Sequence, residues 1–287
     1  MHRILLLLFA GILLTAGCFT ASQPPVEAEV ALITPADESP LFGGPATYAG
    51  LIGEWTPRLP TNYSLVYVVI PPDNATPPHR LFGAAELVYV LGGTAEIQCD
   101  GETVTAREGE TVLLPEGVLQ SIGSIGDGDL RYLSVVQPPF TPDVEISGDD
   151  LAAFGMTTNK MPIVVASPGA EAEQSLDSGA AVYSLLNPVP MDETAIPIDY
   201  SLAYAELLPD GYLDYDGIRG SSDLLYVIEG EILVTTRDGT AIRVPAGNAA
   251  YIPPDVVKET RNTAGSTTRL LSFIDPAWTP EKTDLWE

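Results

Sequence analysis

Apolar and polar residues alternate with the period of a β-strand in one short run after another, and no stretch sustains the period of a helix. Glu86-Leu-Val-Tyr-Val-Leu-Gly-Gly93 is apolar, β-branched and aromatic, and glycine stops it. Ala95-Glu-Ile-Gln-Cys-Asp-Gly101 alternates toward an Asp100-Gly101 turn, so the two runs carry strand and hairpin signals. Thr103-Val-Thr105, Thr111-Val-Leu-Leu-Pro115 and Leu130-Arg-Tyr-Leu-Ser-Val-Val136 follow at close spacing. Many short strands between turn signals predict an all-β fold, a closed barrel or jelly roll.

The pattern is written twice. Tyr67, Pro72, Asp73 and Tyr89 recur 137 positions later as Tyr204, Pro209, Asp210 and Tyr226. One residue is then added, and Gly101, Gly109, Pro115, Arg131 and Pro142 recur at 138 as Gly239, Gly247, Pro253, Arg269 and Pro280. Matched glycines and prolines mean matched backbone turns, since glycine supplies positive φ and proline fixes φ. The chain is therefore a tandem duplication: a first unit over 46–142, a connector over 143–179 in which Met161-Pro-Ile-Val-Val-Ala166 can add a strand, and a second unit from 180 to Trp278. The acidic end, Thr279 to Glu287, is expected to be peripheral.

Composition agrees. A chain of 287 residues, 45% of them hydrophobic, can bury two cores, and 26 glycines with 26 prolines suit a turn-rich β protein. Thirteen basic against 39 acidic residues leave a net charge of −26, a field that repels nucleic acid and anionic lipid head groups.

At the N-terminus, His2 and Arg3 precede an apolar core, Ile4 to Leu14, too short to span a bilayer comfortably, and then Thr15-Ala-Gly-Cys18. The segment resembles a lipoprotein signal over 1–17, with Thr15 where leucine is commoner. The resemblance implies lipidation at Cys18, a membrane anchor and a place outside the cytoplasm, at the cell surface or in the periplasm. The alternative is an ordinary secretory signal. Residues 18–45, rich in Pro, Ala, Ser and acids, read as a tether. Cys99 is the only other cysteine, so no intrachain disulfide framework exists.

Two motifs carry a family resemblance. Gly109, Pro115, Gly117 and Gln120 are spaced as in the second motif of cupins, with Gln120 where a histidine is usual. His79, Leu81 and Glu86 before Tyr89-Val-Leu-Gly-Gly93 resemble the first motif, with Leu81 replacing its second histidine. In the second unit Gly247, Pro253, Asp255, Lys258 and Asn262 keep the second spacing, and Asp216, Ile218 and Asp223 fill the first. The resemblance covers about two thirds of the chain and implies a bicupin, two jelly-roll β-barrel domains in tandem. Cupin barrels that do chemistry usually hold a divalent metal on three imidazoles and a carboxylate. Here His79, Glu86 and Gln120 survive as candidate ligands for a weakly bound Mn²⁺ or Fe²⁺. The alternative is no metal, with His79 bonded to Glu86 or Gln120 as a satisfied polar cluster. The second unit offers Asp214, Asp216, Asp223 and Lys258, in which the lysine ammonium can stand where a cation would, or the carboxylates can take Ca²⁺ or Mn²⁺. Tyr215 and Arg219 are further candidates at that mouth.

The overall layout is also similar to (S)-ureidoglycine aminohydrolase, with an Ala31-Leu-Ile-Thr-Pro35 leading segment and Leu208-Pro-Asp-Gly-Tyr-Leu-Asp214 before the second unit's first motif. That family binds manganese in its second unit through Glu, two His and Gln; the matching positions here are Asp214, Asp216, Asp223 and Lys258. Three functions follow: a binding or structural module with altered metal sites, taking a small molecule at His79, Glu86 and Gln120 or at Asp216, Asp223 and Lys258; a metal-dependent hydrolase or isomerase using the first barrel; and a scaffold that dimerises through barrel edges.

Overall fold

The computed structural model describes residues 29–154, 158, 160–165, 174–189 and 198–285. The signal segment and Cys18 lie outside them. Among the described residues all ladders are antiparallel, and the only helical elements are short 3₁₀ turns.

Each unit is two sheets face to face. In the first, a seven-stranded sheet runs in the order Ile163–Val165, Thr111–Leu114, Ala85–Gly92, Leu130–Gln137, Ser64–Ile70, Thr47–Ile52 and Ser39–Pro40. It faces a five-stranded sheet ordered Glu145–Ser147, His79–Leu81, Gln120–Ser124, Thr94–Cys99 and Glu102–Arg107. The second unit repeats both: Ala31–Ile33, Ala249–Ile252, Ser222–Glu229, Thr268–Asp275, Ser201–Leu207, Ala180–Leu186 and Gln174–Leu176, then Ala241–Pro245, Glu231–Thr236, Lys258–Asn262, Tyr212–Ile218 and Thr283–Leu285. The added residue of the second copy sits in one hairpin turn. Cys99 pairs directly with Glu102 across Asp100-Gly101, both at positive φ, whereas Thr235 pairs with Ala241 across a longer loop.

The period of two sorts the cores. From Ala85–Gly92, Val88 and Val90 point into the first barrel with Ile97, Val112 and Ile122. Leu87 and Tyr89 point the other way, into a core shared by both units that includes Leu133, Leu202, Tyr226 and Phe273. The large sheets are thus buried on both faces, which is why their strands read as nearly continuous apolar runs. Each such side chain removed from water contributes roughly 1.5–3 kcal/mol.

Two expectations, the tether and the peripheral acidic end, are corrected, while the connector supplies the strand expected of it. The span 18–45 is not a free tether over its described part, because Ala31–Ile33 pairs with Ala249–Ile252 of the second unit. The connector gives Ile163–Val165 back to the first unit, paired with Thr111–Leu114. These two strands hold equivalent edges, so each unit is completed by the segment that precedes the other. The acidic end is not peripheral either: Thr283–Leu285 pairs with Asp216, Gly217 and Ile218, as Glu145–Ser147 pairs with His79–Leu81 in the first unit.

Candidate functional site

His79 and Gln120 come from neighbouring strands in direct register, and Glu86 reaches them from the facing sheet. Glu86 shares its face with Val88 and Val90, so the alternation that fills the barrel also aims its carboxylate inward. All three side chains are buried. The Gln120 amide nitrogen donates to Glu86 Oε2 at 2.5 Å and lies 3.1 Å from His79 Nε2. His79 Nδ1 lies 3.0 Å from the Pro77 carbonyl, which only accepts, so Nδ1 carries the proton and Nε2 accepts from Gln120. Ser134 donates to Glu86 Oε1 at 2.5 Å.

In the second barrel the equivalent positions hold Asp216, Asp223, Lys258 and Ser272. Lys258 Nζ lies 2.7 Å from Asp216 Oδ1 and 3.4 Å from Asp223 Oδ2, and Ser272 donates to Asp223 Oδ1 at 2.7 Å. Burial works against the Lys258 ammonium, but Asp216 and Asp223 outweigh it and its pKa is raised. Asp223 is raised as well, because its burial exceeds what Lys258 and Ser272 return. Both directions follow from one ammonium shared by two carboxylates: the cation is retained, and the buried Asp223 is easier to protonate than an ordinary aspartate. Asp214 is exposed and accepts from the Tyr215 amide. The Tyr215 ring packs against Arg237 instead, with the guanidinium carbon 5.9 Å from its centroid. Arg219 is exposed, and its amide donates to the Lys282 carbonyl.

The two barrels therefore share one plan: an inward carboxylate held by a serine, an acceptor beside it, and a nitrogen donor between them. That donor is an amide in one barrel and an ammonium in the other. Neither arrangement fits a resident divalent metal. His79 Nε2 and Glu86 are both engaged by Gln120, Leu81 packs with Ala84 and Val136, and Lys258 brings a positive charge to the metal position. Among the described residues no three His, Cys, Asp or Glu side chains are grouped to hold a metal ion.

A cavity of about 390 Å³ opens above His79 and Glu86 in the first barrel. Val66, Val68 and Val136 supply apolar wall and Phe42, Tyr48 and Trp55 supply rings. Burial, then the nearby Glu86 carboxylate, pushes the Tyr132 phenol well above its ordinary pKa, so this wall residue stays neutral. Trp55 lies flat on the backbone of Gly50, where a Cβ would meet the indole at 2.0 Å. Sequence reasoning missed Ser134 and Ser272, although they recur at the 138 spacing, and missed Trp55, which does not recur in the second copy, where Asp192 stands 137 positions later.

The cupin-domain family model matches residues 66–136 and 219–274. The chain is 29% identical over 84 residues to the uncharacterised protein MJ1618 of Methanocaldococcus jannaschii, a match over 29% of this chain and 67% of that one. In structure it is similar to oxalate decarboxylase of Bacillus subtilis, with TM-score 0.64 and 18% identity over 90% of this chain and 78% of that one. It is also similar to pumpkin seed globulin, with TM-score 0.69 and 12% identity over 91% and 88%. At these identities the likeness is one of fold. With two matched regions, duplicated sheets and duplicated inward clusters, the chain folds as two cupin-like jelly-roll units in tandem.

Proposed function

We propose that this bicupin binds a small organic molecule in its first barrel without a resident metal, and that the second barrel is structural. The observation that carries the reading is the cavity of about 390 Å³ above the Glu86, His79 and Gln120 cluster, in a range suited to a compact ligand. In the second barrel Lys258 fills the corresponding position. We further propose that a lipid on Cys18 anchors the protein outside the cytoplasm.

Purified mature protein tested by elemental analysis and by thermal shift against small organic molecules checks the first reading. Stoichiometric Mn or Fe, lost together with turnover in His79→Ala, would instead support a hydrolase or isomerase of the ureidoglycine aminohydrolase type. Under the metal-free reading the protein carries no stoichiometric metal, and a ligand present at 100 times its Kd stabilises the fold by about 2.7 kcal/mol.

A further inference from the structure

The two barrels place the same inward carboxylate in opposite electrostatic company. Asp223 has a protein ammonium 3.4 Å away on Lys258. Glu86, at the equivalent position, has two dipolar partners, the Ser134 hydroxyl and the Gln120 amide, and among the described residues no Lys or Arg lines its cavity. The two ring nitrogens of His79 are taken up by the Pro77 carbonyl and the Gln120 amide. Two further carboxylates, Glu54 and Glu145, stand on the cavity wall. Where one barrel is filled by its own cation, the other has a cavity.

The rings fit the same charge. Phe42 packs against His79 with centroids 5.0 Å apart, and Tyr48 and Trp55 meet edge to face at 6.0 Å. Trp55 is still 37% exposed, so part of the indole is open to an occupant. Aromatic faces attract cations, and an ammonium with an apolar body satisfies both the rings and the carboxylate. A carboxylate ligand would meet three glutamates and no fixed cation, against a chain of net charge −26.

We propose that the first barrel is a site for an organic cation, a primary or quaternary ammonium on a compact apolar or aromatic body, whose charge does at Glu86 what Lys258 does at Asp223. The assignment rests on the small-molecule reading above and adds the chemical class of the ligand.

The test uses three probes of one shape, phenylethylamine, phenylethanol and phenylacetate, titrated calorimetrically into the full mature chain at neutral pH. Phenylethylamine is expected to bind on the order of tenfold or more tighter than phenylethanol, to weaken with added salt, and to leave phenylacetate without measurable binding. Gln120→Lys places an ammonium where the second barrel has one and is expected to abolish amine binding in a folded protein. Trp55→Ala, at the cavity edge, is expected to weaken it several-fold. Equal or tighter binding of the alcohol or the acid overturns the cation assignment and leaves the small-molecule reading standing. Unchanged amine binding in Gln120→Lys also overturns it. Absence of binding by all three probes overturns both.

Discussion

Lys258 is where a single residue decides what its barrel is. Its ammonium is almost wholly buried between Asp223, 6% exposed at the side chain, and Asp216, 25% exposed. Lys258→Met leaves two carboxylates facing each other, and removing one partner of a buried pair costs on the order of 3–5 kcal/mol; access of water to Asp216 puts the expected loss near about 3 kcal/mol. The raised pKa of Lys258 means that its stabilisation is complete below the ordinary lysine value of 10.5 and is lost as pH rises through the folded value. The raised pKa of Asp223 means that its ionisation opposes folding; that cost is absent below the ordinary 3.8 and enters as pH rises through the folded value. Without the lysine, protonation of Asp223 relieves the repulsion at higher pH still. The gap between parent and variant in denaturant midpoint is therefore expected to be wide at pH 7 and narrower near pH 4. A gap that stays constant over that range would show that the variant's loss is one of packing, not charge.

Strand pairing at the next scale depends on contacts that no local pattern announces. Asp100, in the hairpin turn of the first barrel, accepts from the Leu119 amide at 2.9 Å, from Thr158 through both amide and hydroxyl, and from Arg80 at 3.3 Å. Burial alone would raise its pKa, but the Thr158 and Leu119 hydrogen bonds and Arg80 outweigh it and the pKa is lowered. Its contribution is thus present above the ordinary 3.8 and lost as pH falls through the folded value. Asp100→Asn keeps the shape and the positive φ of the turn; it is expected to cost roughly 1–3 kcal/mol at pH 7 and progressively less as pH falls below 3.8 through the folded value, read from thermal midpoints. Ile33→Ala, on the strand lent to the second unit, is expected to cost roughly 2–4 kcal/mol at every pH, because what it removes is buried apolar volume. The turn itself was legible in Asp100-Gly101, and the repeat in its glycines and prolines, since both are local backbone requirements. The exchanged strands were not legible, because three apolar residues such as Ala31-Leu-Ile33 carry no mark of a partner more than 200 positions away. The candidate site divides in the same way. Spacing identified His79, Glu86 and Gln120, but the turn of the Gln120 amide toward both neighbours depends on Pro77 fixing the histidine tautomer, which spacing does not encode.

Over the whole molecule the two units meet as a dimer would, with one patch on each side related by a pseudo-twofold axis. The Asp199 amide donates to Gln137 Oε1 at 2.7 Å, and the Asn62 amide donates to Asp275 Oδ2 at 2.9 Å, the same contact made in both directions. Tyr63 of the first unit packs at a tilt against Tyr200 and Phe273 of the second, with ring centroids 5.5 Å and 6.2 Å away. Net charge acts against this compactness. With −26 on the chain, raising salt from about 0.05 to 0.5 M shortens the screening length below roughly 5 Å and is expected to raise the thermal midpoint. The shared core and the exchanged strands together predict that the units do not unfold separately: a single calorimetric transition is expected, with calorimetric and van't Hoff enthalpies equal. Phe273 is the residue to test, because it is fully buried in the shared core and lies outside both barrel interiors. Phe273→Ala is expected to cost on the order of 3–5 kcal/mol. Its loss falls on the interface and on the large sheet of the second unit, so that unit melts first and the single transition broadens or splits. Two separated transitions already present in the parent would show that the shared core packs the units together without coupling their stabilities.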